Sequence, residues 1–574
     1  MLAGSCSASS ARRVASYERS CIESRRRRPS SPAPAKECHV SRAESLPVSA
    51  IPGFHRLFID FCSGSPALTG WYAELPPAAG WQQRPPVPAH QTELVSLLAA
   101  QNPEPQAKPA LAALADGAGV TVTGQQVGLF GGPLFTPLKA ATAVARARQA
   151  TQAGYPHAAI FWLASEDHDF AEINHVVLPA GRELRQLTYT SAPAAEVPVG
   201  ALLLDSTILP LVDQAADLLG PSEALDALAA AYQPGRTLAQ AFRDFYARIF
   251  AAHGLLILDP SVREAHRLGA PVLLAALERA DELHQALVAR NQELTAAGYH
   301  VQVAVLDRSS LLFLIDEKTG ARLALKRTPS TAAKPAGLWQ AGRQNYSTAE
   351  LAAILAAQPE RISPSALLRP VFQDFLLGTS LTIGGPAEIA YFAQSAVLFE
   401  RILGRLTPSQ PRFSATLVEP AMADLLRIHD LSPERVFAET PDSLRQLLAT
   451  RALPAEGRAH LEVAGRALET ELGPLIDWME LVDAGLGRSA RTSASKMRYQ
   501  MGRLRRLAAN FALEKEASLG RHAQALSTAL YPHGGLQERL HGAAYYLARY
   551  GSPLVADMVD QAAKFTTGHT ELWL

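Results

Sequence analysis

The sequence predicts an α/β fold with a parallel-sheet core, interrupted by insertions and followed by an antiparallel helical hairpin. Two observations point to the sheet. Apolar runs recur that end abruptly in polar text, "VTVT" before Gly124, "AAIFWLA" before "SEDHDF" and "GLLIL" before Asp259. Strands covered on both faces read as continuous apolar runs, and the helical text between these runs is long enough for parallel crossovers. The hairpin rests on a third observation, a heptad pattern carried by two neighbouring segments of opposite charge.

The core elements follow in order. Residues 120–150, "VTVTGQQVGLFGGPLFTPLKAATAVARARQA", read as strand, glycine-rich turn and helix, the helix beginning between Pro133 and Pro137. The next strand spans 158–164 and gives way to charge. A crossover helix, "LAQAFRDFYARIFAAHG", stops at Gly254, and the strand 254–259 ends in an acid. Residues 55–98, with Trp71, Tyr72 and Trp81, read as irregular cover for a core. Insertions are expected at about 184–235 and 263–360. The second starts with one long amphipathic helix over 263–298. It continues as a three-strand meander, "HVQVAVLDRSSLLFLIDEKTGARLALKR", with turns at "DRSS" and "EKTG". A core of 40–415 is thus followed by a helical region, 416–530, and a closing segment, 531–574, that packs back on the core.

In the helical region Leu461, Leu468, Leu475 and Val482 recur every seven residues, with Leu472, Met479 and Leu486 between them. Met497, Leu504 and Phe511, with Met501 and Ala508, continue the pattern in a second helix. Residues 456–486 carry seven acids and two Arg, whereas 488–521 carry nine basic residues and two acids. Such neighbours, joined near Gly485 and Gly487, favour a packed antiparallel hairpin over a nucleic-acid element. Pro474 predicts a kink in the first helix.

Composition narrows the function classes. A chain of 574 residues is too long for one core. Lys plus Arg equals Asp plus Glu at 54 each, so the overall field does not point to nucleic acid. No apolar run is long enough for a membrane span. The four cysteines, Cys6, Cys21, Cys38 and Cys62, cluster at one end without metal-ligand spacing. That usage predicts a reducing, cytoplasmic setting and leaves no thiol for catalysis in the rest of the chain. Residues 1–39, rich in Arg, Ser and Pro, read as a disordered basic tail without the apolar stretch of a secretory signal. A transit peptide, a partner-binding tail and non-native sequence from an upstream start remain open there.

Three motifs carry chemistry. In "TGQQVGLFGGP", Gly124 and Gly128 are expected to take backbone angles closed to other residues. Thr123, Gln125 and Gln126 add neutral hydrogen-bonding groups, and Lys139 adds a charge. The helix start that follows can hold phosphate or carboxylate, although a plain structural turn is the rival reading. In "SEDHDF", Glu166, Asp167, His168 and Asp169 follow a buried strand at the edge where open sheets bind ligands, with Asn174 and His175 just beyond. A His flanked by acids suits proton transfer or binding of developing negative charge. Helix capping and metal ligation are the alternatives, and no metal ligand is assigned. In "RPVFQDFLLGTSLTIGGPAEIAYFAQ", apolar text rich in β-formers runs into Gly384 and Gly385, then a helix carrying Glu388. Arg369, Gln373 and Asp374 could line the same crevice.

Together with "LYPHGGLQERLHGAAYYLARYG", these motifs resemble the bacillithiol-biosynthesis cysteine-adding enzymes over roughly 40–574. The resemblance implies a Rossmann-like core related to class I nucleotidyltransferases, connecting-peptide insertions, and a coiled coil that mediates homodimerisation. It implies a ligase joining the cysteine carboxyl group to the amine of glucosaminyl malate. Such an amide needs an activated acid, so an adenylate made from ATP is expected, with Mg²⁺ a candidate companion of the phosphates. On that reading 123–128 cradle phosphate and His168, helped by His175, stabilises the leaving pyrophosphate. Asp167 or Asp169 orients the His or the amine, and Gly384, Gly385 and Glu388 bound the remaining pocket. The HxGH and KMSKS strings of class I enzymes are absent, since "SASKM" belongs to the heptad helix. Two rival functions stay open: a non-catalytic coiled-coil assembly protein, and a nucleotidyltransferase acting on a sugar phosphate.

Overall fold

A computed structural model describes residues 40–73, 85–328 and 337–574; the expected tail, 1–39, and Trp81 lie outside the described residues. Five core strands form one sheet: β1 (Gly119–Gln125), β2 (His157–Leu163), β3 (Leu256–Leu258), β4 (Thr379–Gly384) and β5 (Ser409–Pro411). Their order is β5-β4-β1-β2-β3 and every neighbouring pair is parallel. The chain steps outward from β1 to β3, then returns to the other side of β1 for β4 and β5. That reversal leaves a crevice beyond the carboxyl ends of β1 and β4, where doubly wound sheets place their ligands.

Both faces of the sheet are covered, which explains the uninterrupted apolar run in β2. Ala159, Phe161 and Leu163 pack on one side with the helices Phe135–Gln152, Leu238–Ile249 and Ala543–Lys564. Ala158, Ile160 and Trp162 pack on the other with Arg263–Glu278 and Arg369–Leu377. The crossover helix Leu238–Ile249 begins in a capping box at Thr237 and ends at Phe250; the expected stop, Gly254 (φ 69°), closes the short 3₁₀ turn Ala251–His253 that follows. The closing segment lies on the core: Arg146 donates to the carbonyls of Phe565 at 2.5 Å and Ala562 at 3.2 Å. Strand His569–Trp573 then pairs with Arg42–Leu46 on one side and Ala415–Val418 on the other.

Four local expectations are corrected. The long helix over 263–298 is two helices, Arg263–Glu278 and Ala280–Ala296, broken at Arg279 (φ −105°, ψ 23°). The meander loses its first strand: Leu312–Ile315 keeps its expected partner Arg322–Ala324, and Ile362–Pro364 pairs on its other side. The stretch Arg369–Leu377 is a helix, since nearly all of its side chains are buried and its periodicity is masked. Neither Gly124 nor Gly128 takes a positive φ; those angles fall on Phe130, Gly131 and Gly132. At Gly131 a Cβ would lie 2.6 Å from the Phe245 ring, so only glycine fits. Tyr232 and Tyr246 tie this turn down, the Tyr232 hydroxyl donating to Gly128 O at 3.0 Å and Tyr246 to Gly131 O at 2.6 Å.

The hairpin is present as Ala455–Val482 and Ala484–Lys515, and the reversal sits at Asp483, whose carboxylate accepts from the amides of Gly485 and Leu486. Both glycines therefore lie inside the second helix, and Pro474 is carried within the first. Opposite charges meet as the sequence implied, Arg498 on Glu469 at 2.9 Å and Arg491 on Glu480. Small residues, Gly465, Gly487 and Ala494, are buried along the hairpin, while Ala509 packs on Ala449 of the preceding helix. Leu475, Val482, Met497, Leu504 and Phe511 face outward at 46–59% exposure, so half of the heptad set is not satisfied within one chain.

Candidate functional site

The crevice beyond β1 and β4 has a volume of about 410 Å³. Two helices start at its rim, Phe135–Gln152 after β1 and Pro386–Leu403 after β4, each offering unpaired amides. The centre is an ion pair between them. Lys139 Nζ contacts Glu388 Oε2 and donates to Gly124 O, while Glu388 Oε2 also accepts from Gly385 N at 2.8 Å. Burial holds Lys139 below its ordinary pKa, and Glu388 opposes that shift by charge and hydrogen bond.

Four arginines, Arg322, Arg369, Arg412 and Arg539, add positive charge. Arg369 donates to Tyr391 Oη at 2.6 Å and Gln373 Oε1 at 2.8 Å, with Glu388 3.9 Å away. Burial works against its charge, but Tyr391 and Glu388 outweigh it and raise its pKa. Arg412, just after β5, makes a two-pronged contact with Glu538 at 2.6 and 3.0 Å, fully inside the protein. Ser414 bonds both Glu538 and His569, so the crevice is tied to the closing segment through a buried polar chain. Arg322 comes from the insertion hairpin. It lies 3.8 Å over the Phe313 ring and donates to Ser363 Oγ at 3.0 Å and Pro364 O at 2.8 Å.

The acidic wall follows β2. Glu166 lies 2.8 Å from the fully buried His266 ring. Burial alone would depress that imidazole, yet the Glu166 charge outweighs it and raises the pKa. Gln126 donates to both Asp167 and Glu172 at 2.7 Å, bracing the loop after β2 against the loop after β1.

The structure brings Gly124, Gln125, Gln126, Lys139, Glu166, Asp167, Gly385 and Glu388 together around the crevice. The other sequence candidates sit elsewhere. Thr123 is buried, donating to Ile383 O at 3.1 Å, and Gly128 supports the turn through Tyr232. Asp169 caps the short helix Phe170–Ile173, and Asn174 with His175 starts a peripheral hairpin. Gln373 braces Arg369 from behind. Asp374, its pKa raised by burial, ties the Thr379 amide to Thr407 and Arg405. Gly384 ends β4 beneath Phe392. His168 lines a neighbouring cavity. Sequence reasoning missed Arg322, Arg412 and Arg539, because only tertiary pairing brings them here.

An anionic ligand fits these groups. Five cations, Lys139, Arg322, Arg369, Arg412 and Arg539, line it with four carboxylates, Glu166, Asp167, Glu172 and Glu388, so an anionic group fits the side of Arg369, Arg412 and Arg539 and not the acidic wall. Trp162 adds a buried Nε1–H with no acceptor among the described residues at the same wall.

Comparison with known proteins agrees with this architecture. Residues 42–413 match the model of the BshC N-terminal Rossmann-like domain of bacillithiol biosynthesis, and 415–573 match its C-terminal coiled-coil domain. A protein of Koribacter versatilis, named "Putative cysteine ligase BshC", is 42% identical over 90% of this chain and 97% of its own length. Proteins of the same name from Solibacter usitatus and Salinibacter ruber are 36% and 29% identical over 84% and 92% of this chain, and 89% and 98% of their own. Among the described residues no helix is long and apolar enough to cross a membrane. With both of its domains matched end to end, the chain belongs to the BshC family of bacillithiol biosynthesis.

Proposed function

We propose that this chain is a cytoplasmic cysteine ligase that forms an amide between the cysteine carboxyl group and the amine of glucosaminyl malate. The observation that carries the reading is the crevice at the β1/β4 switch point, which gathers Arg369, Arg412 and Arg539 with two helix starts, in a chain whose relatives bear the cysteine-ligase name. On this reading Arg369 holds a carboxylate beside a phosphate, Lys139 sets the position of Glu388, and the two helix starts add oriented amides. ATP supplies the activation: the cysteine carboxylate attacks the α-phosphorus, an acyl–O–P bond forms and pyrophosphate leaves. Mg²⁺ would accompany the phosphates and be held by them, since among the described residues no three carboxylates or histidines gather to bind a metal ion. The amine then attacks the acyl carbon, and AMP departs with the bonding electron pair.

The outward heptad face supports a homodimer through the hairpin, because a strip of Leu475, Met497, Leu504 and Phe511 stays wet in one chain. The enzymatic reading is tested with purified protein, ATP, cysteine and glucosaminyl malate, following the conjugate by mass. Folded protein that makes no conjugate with any nucleoside triphosphate would refute it.

A further inference from the structure

A second cavity, about 940 Å³, adjoins the crevice. Asp167, Arg322, Ser365 and Ala366 line both, so a molecule in one abuts a molecule in the other. The second cavity is built by the insertion: the segment 303–313, the strands about Arg322 and Lys326, and the helix ends near Ala276 and His284. Nothing in the proposed activation of cysteine uses it.

Its chemistry has two ends. At the wall shared with the crevice, Asp167 Oδ1 lies 3.7 Å from His168 Nδ1, which in turn is 3.4 Å from Arg322. That carboxylate and imidazole can hold an ammonium group and receive its proton. Beyond them stand Arg308 and Lys326. Arg308 donates only to neutral acceptors, Arg327 O at 3.3 Å and Gln340 Oε1 at 3.0 Å, and makes no salt bridge among the described residues. Neighbouring Arg327, by contrast, is neutralised by Asp281. The walls between are apolar, formed by Val303, Leu306, Leu311 and Phe313. Arg322 shares the inner end with Asp167 and Asp307 lies beside Arg308, so neither end is of one sign; Arg308 and Lys326 together still favour carboxylates at the outer end, and Asp167 with the His168 ring offers acceptors to an amine at the inner one.

We infer that this cavity is the acceptor subsite, taking a dicarboxylate-bearing primary amine whose nitrogen reaches the crevice past Asp167 and His168 while Arg308 and Lys326 bind its carboxylates. The inference rests on the ligase reading for the identity of the acceptor. In the transfer, the ammonium first gives a proton to the Asp167–His168 pair. Its nitrogen then forms the C–N bond as the C–O bond to AMP breaks, and a second proton leaves the new amide nitrogen for water.

The test compares Arg308→Glu and the cavity-filling Ala324→Trp with the wild type. Arg308 is exposed and Ala324 lies on a hairpin edge, so both variants should fold, as their melting temperatures will report. The expected result is a KM for glucosaminyl malate raised about tenfold or more, the scale of one lost charge-assisted contact, with KM for ATP and cysteine unchanged. A rise in the KM for ATP instead would make this a nucleotide site and overturn the inference, as would no change in any constant. Calorimetric titration with glucosaminyl malate alone separates the two claims. If the wild type makes no conjugate yet binds this compound and Arg308→Glu does not, the ligase reading falls and the subsite stands. Equal binding by both, or none by the wild type, overturns the subsite.

Discussion

Lys139 and Glu388 join the two halves of the sheet: the lysine rides on the helix after β1, the glutamate on the helix after β4, and their charges meet between the strand ends. Glu388 also caps its own helix through Gly385 N, so one carboxylate sets both the helix start and the lysine ammonium. The pair is shielded, at 4% and 17% side-chain exposure. Breaking a shielded pair from one side leaves a charge without compensation and costs about 3–5 kcal/mol. Lys139→Met should therefore lower both stability and turnover. Adding Glu388→Gln should restore part of the stability and none of the turnover. A double-mutant cycle in urea reads the coupling, and additive effects would show that the pair is not an energetic unit.

Arg369 presents its guanidinium to the crevice while Tyr391 and Gln373 fix its plane. Arg369→Lys keeps the charge and loses the fork. A loss of roughly 10²-fold in kcat/KM is expected, the scale of one oriented donor to developing charge, with a melting temperature near that of the wild type. Unchanged kinetics would remove Arg369 from the site.

Glu538 acts at a distance from any ligand, by holding Arg412 against the crevice wall. Glu538→Gln should raise the KM for ATP and leave the KM for glucosaminyl malate as it was. A uniform fall in kcat alone would reduce Glu538 to a structural contact.

His569 sits neutral in the same network, between Ser414 and Thr416, and burial pushes its pKa down to about 4. The unfolded chain, with an ordinary imidazole near pH 6.5, binds more protons than the folded one between those values. Stability is thus expected to be full above about pH 6.5, to fall as pH drops through the window, and to level off below about pH 4. His541, also at about 4, acts in the same direction. Urea midpoints at pH 7 and pH 5 should differ less in His569→Gln than in the wild type. An equal difference would assign the acid sensitivity elsewhere.

The outward hairpin face is tested by Leu504→Glu with Phe511→Glu. Sedimentation should show monomers for the variant and dimers for the wild type, and a variant that stays dimeric would place the interface elsewhere.

The legible parts of the fold were those in which local sequence and tertiary burial agree. The strand, turn and helix around Gly124 and around Gly385 read correctly because an apolar run, a glycine turn and a helix start are all local signals. The segment Arg369–Leu377 misled because burial on nearly every side removes helical periodicity and leaves only its aromatic and branched residues to be read. The "SEDHDF" string was legible as the polar loop at the carboxyl edge of the sheet, yet its members part ways: Glu166 and Asp167 face the crevice, His168 faces the second cavity and Asp169 turns to a helix cap. No local signal separates them, since the loop's path is set by Gly200 and Asp259, which hold Ser165 from distant parts of the chain. Arg322, Arg412 and Arg539 arrive from an insertion, from the end of β5 and from the closing segment, so their convergence is a property of topology alone.

The central claim is that this crevice activates the cysteine carboxyl group at the α-phosphorus of ATP. Cysteine carrying ¹⁸O at both carboxyl oxygens, turned over with ATP and glucosaminyl malate, tests it most directly. AMP is expected to gain one labelled oxygen while the other remains in the amide carbonyl. Label in inorganic phosphate, or unlabelled AMP alongside authentic conjugate, would contradict it.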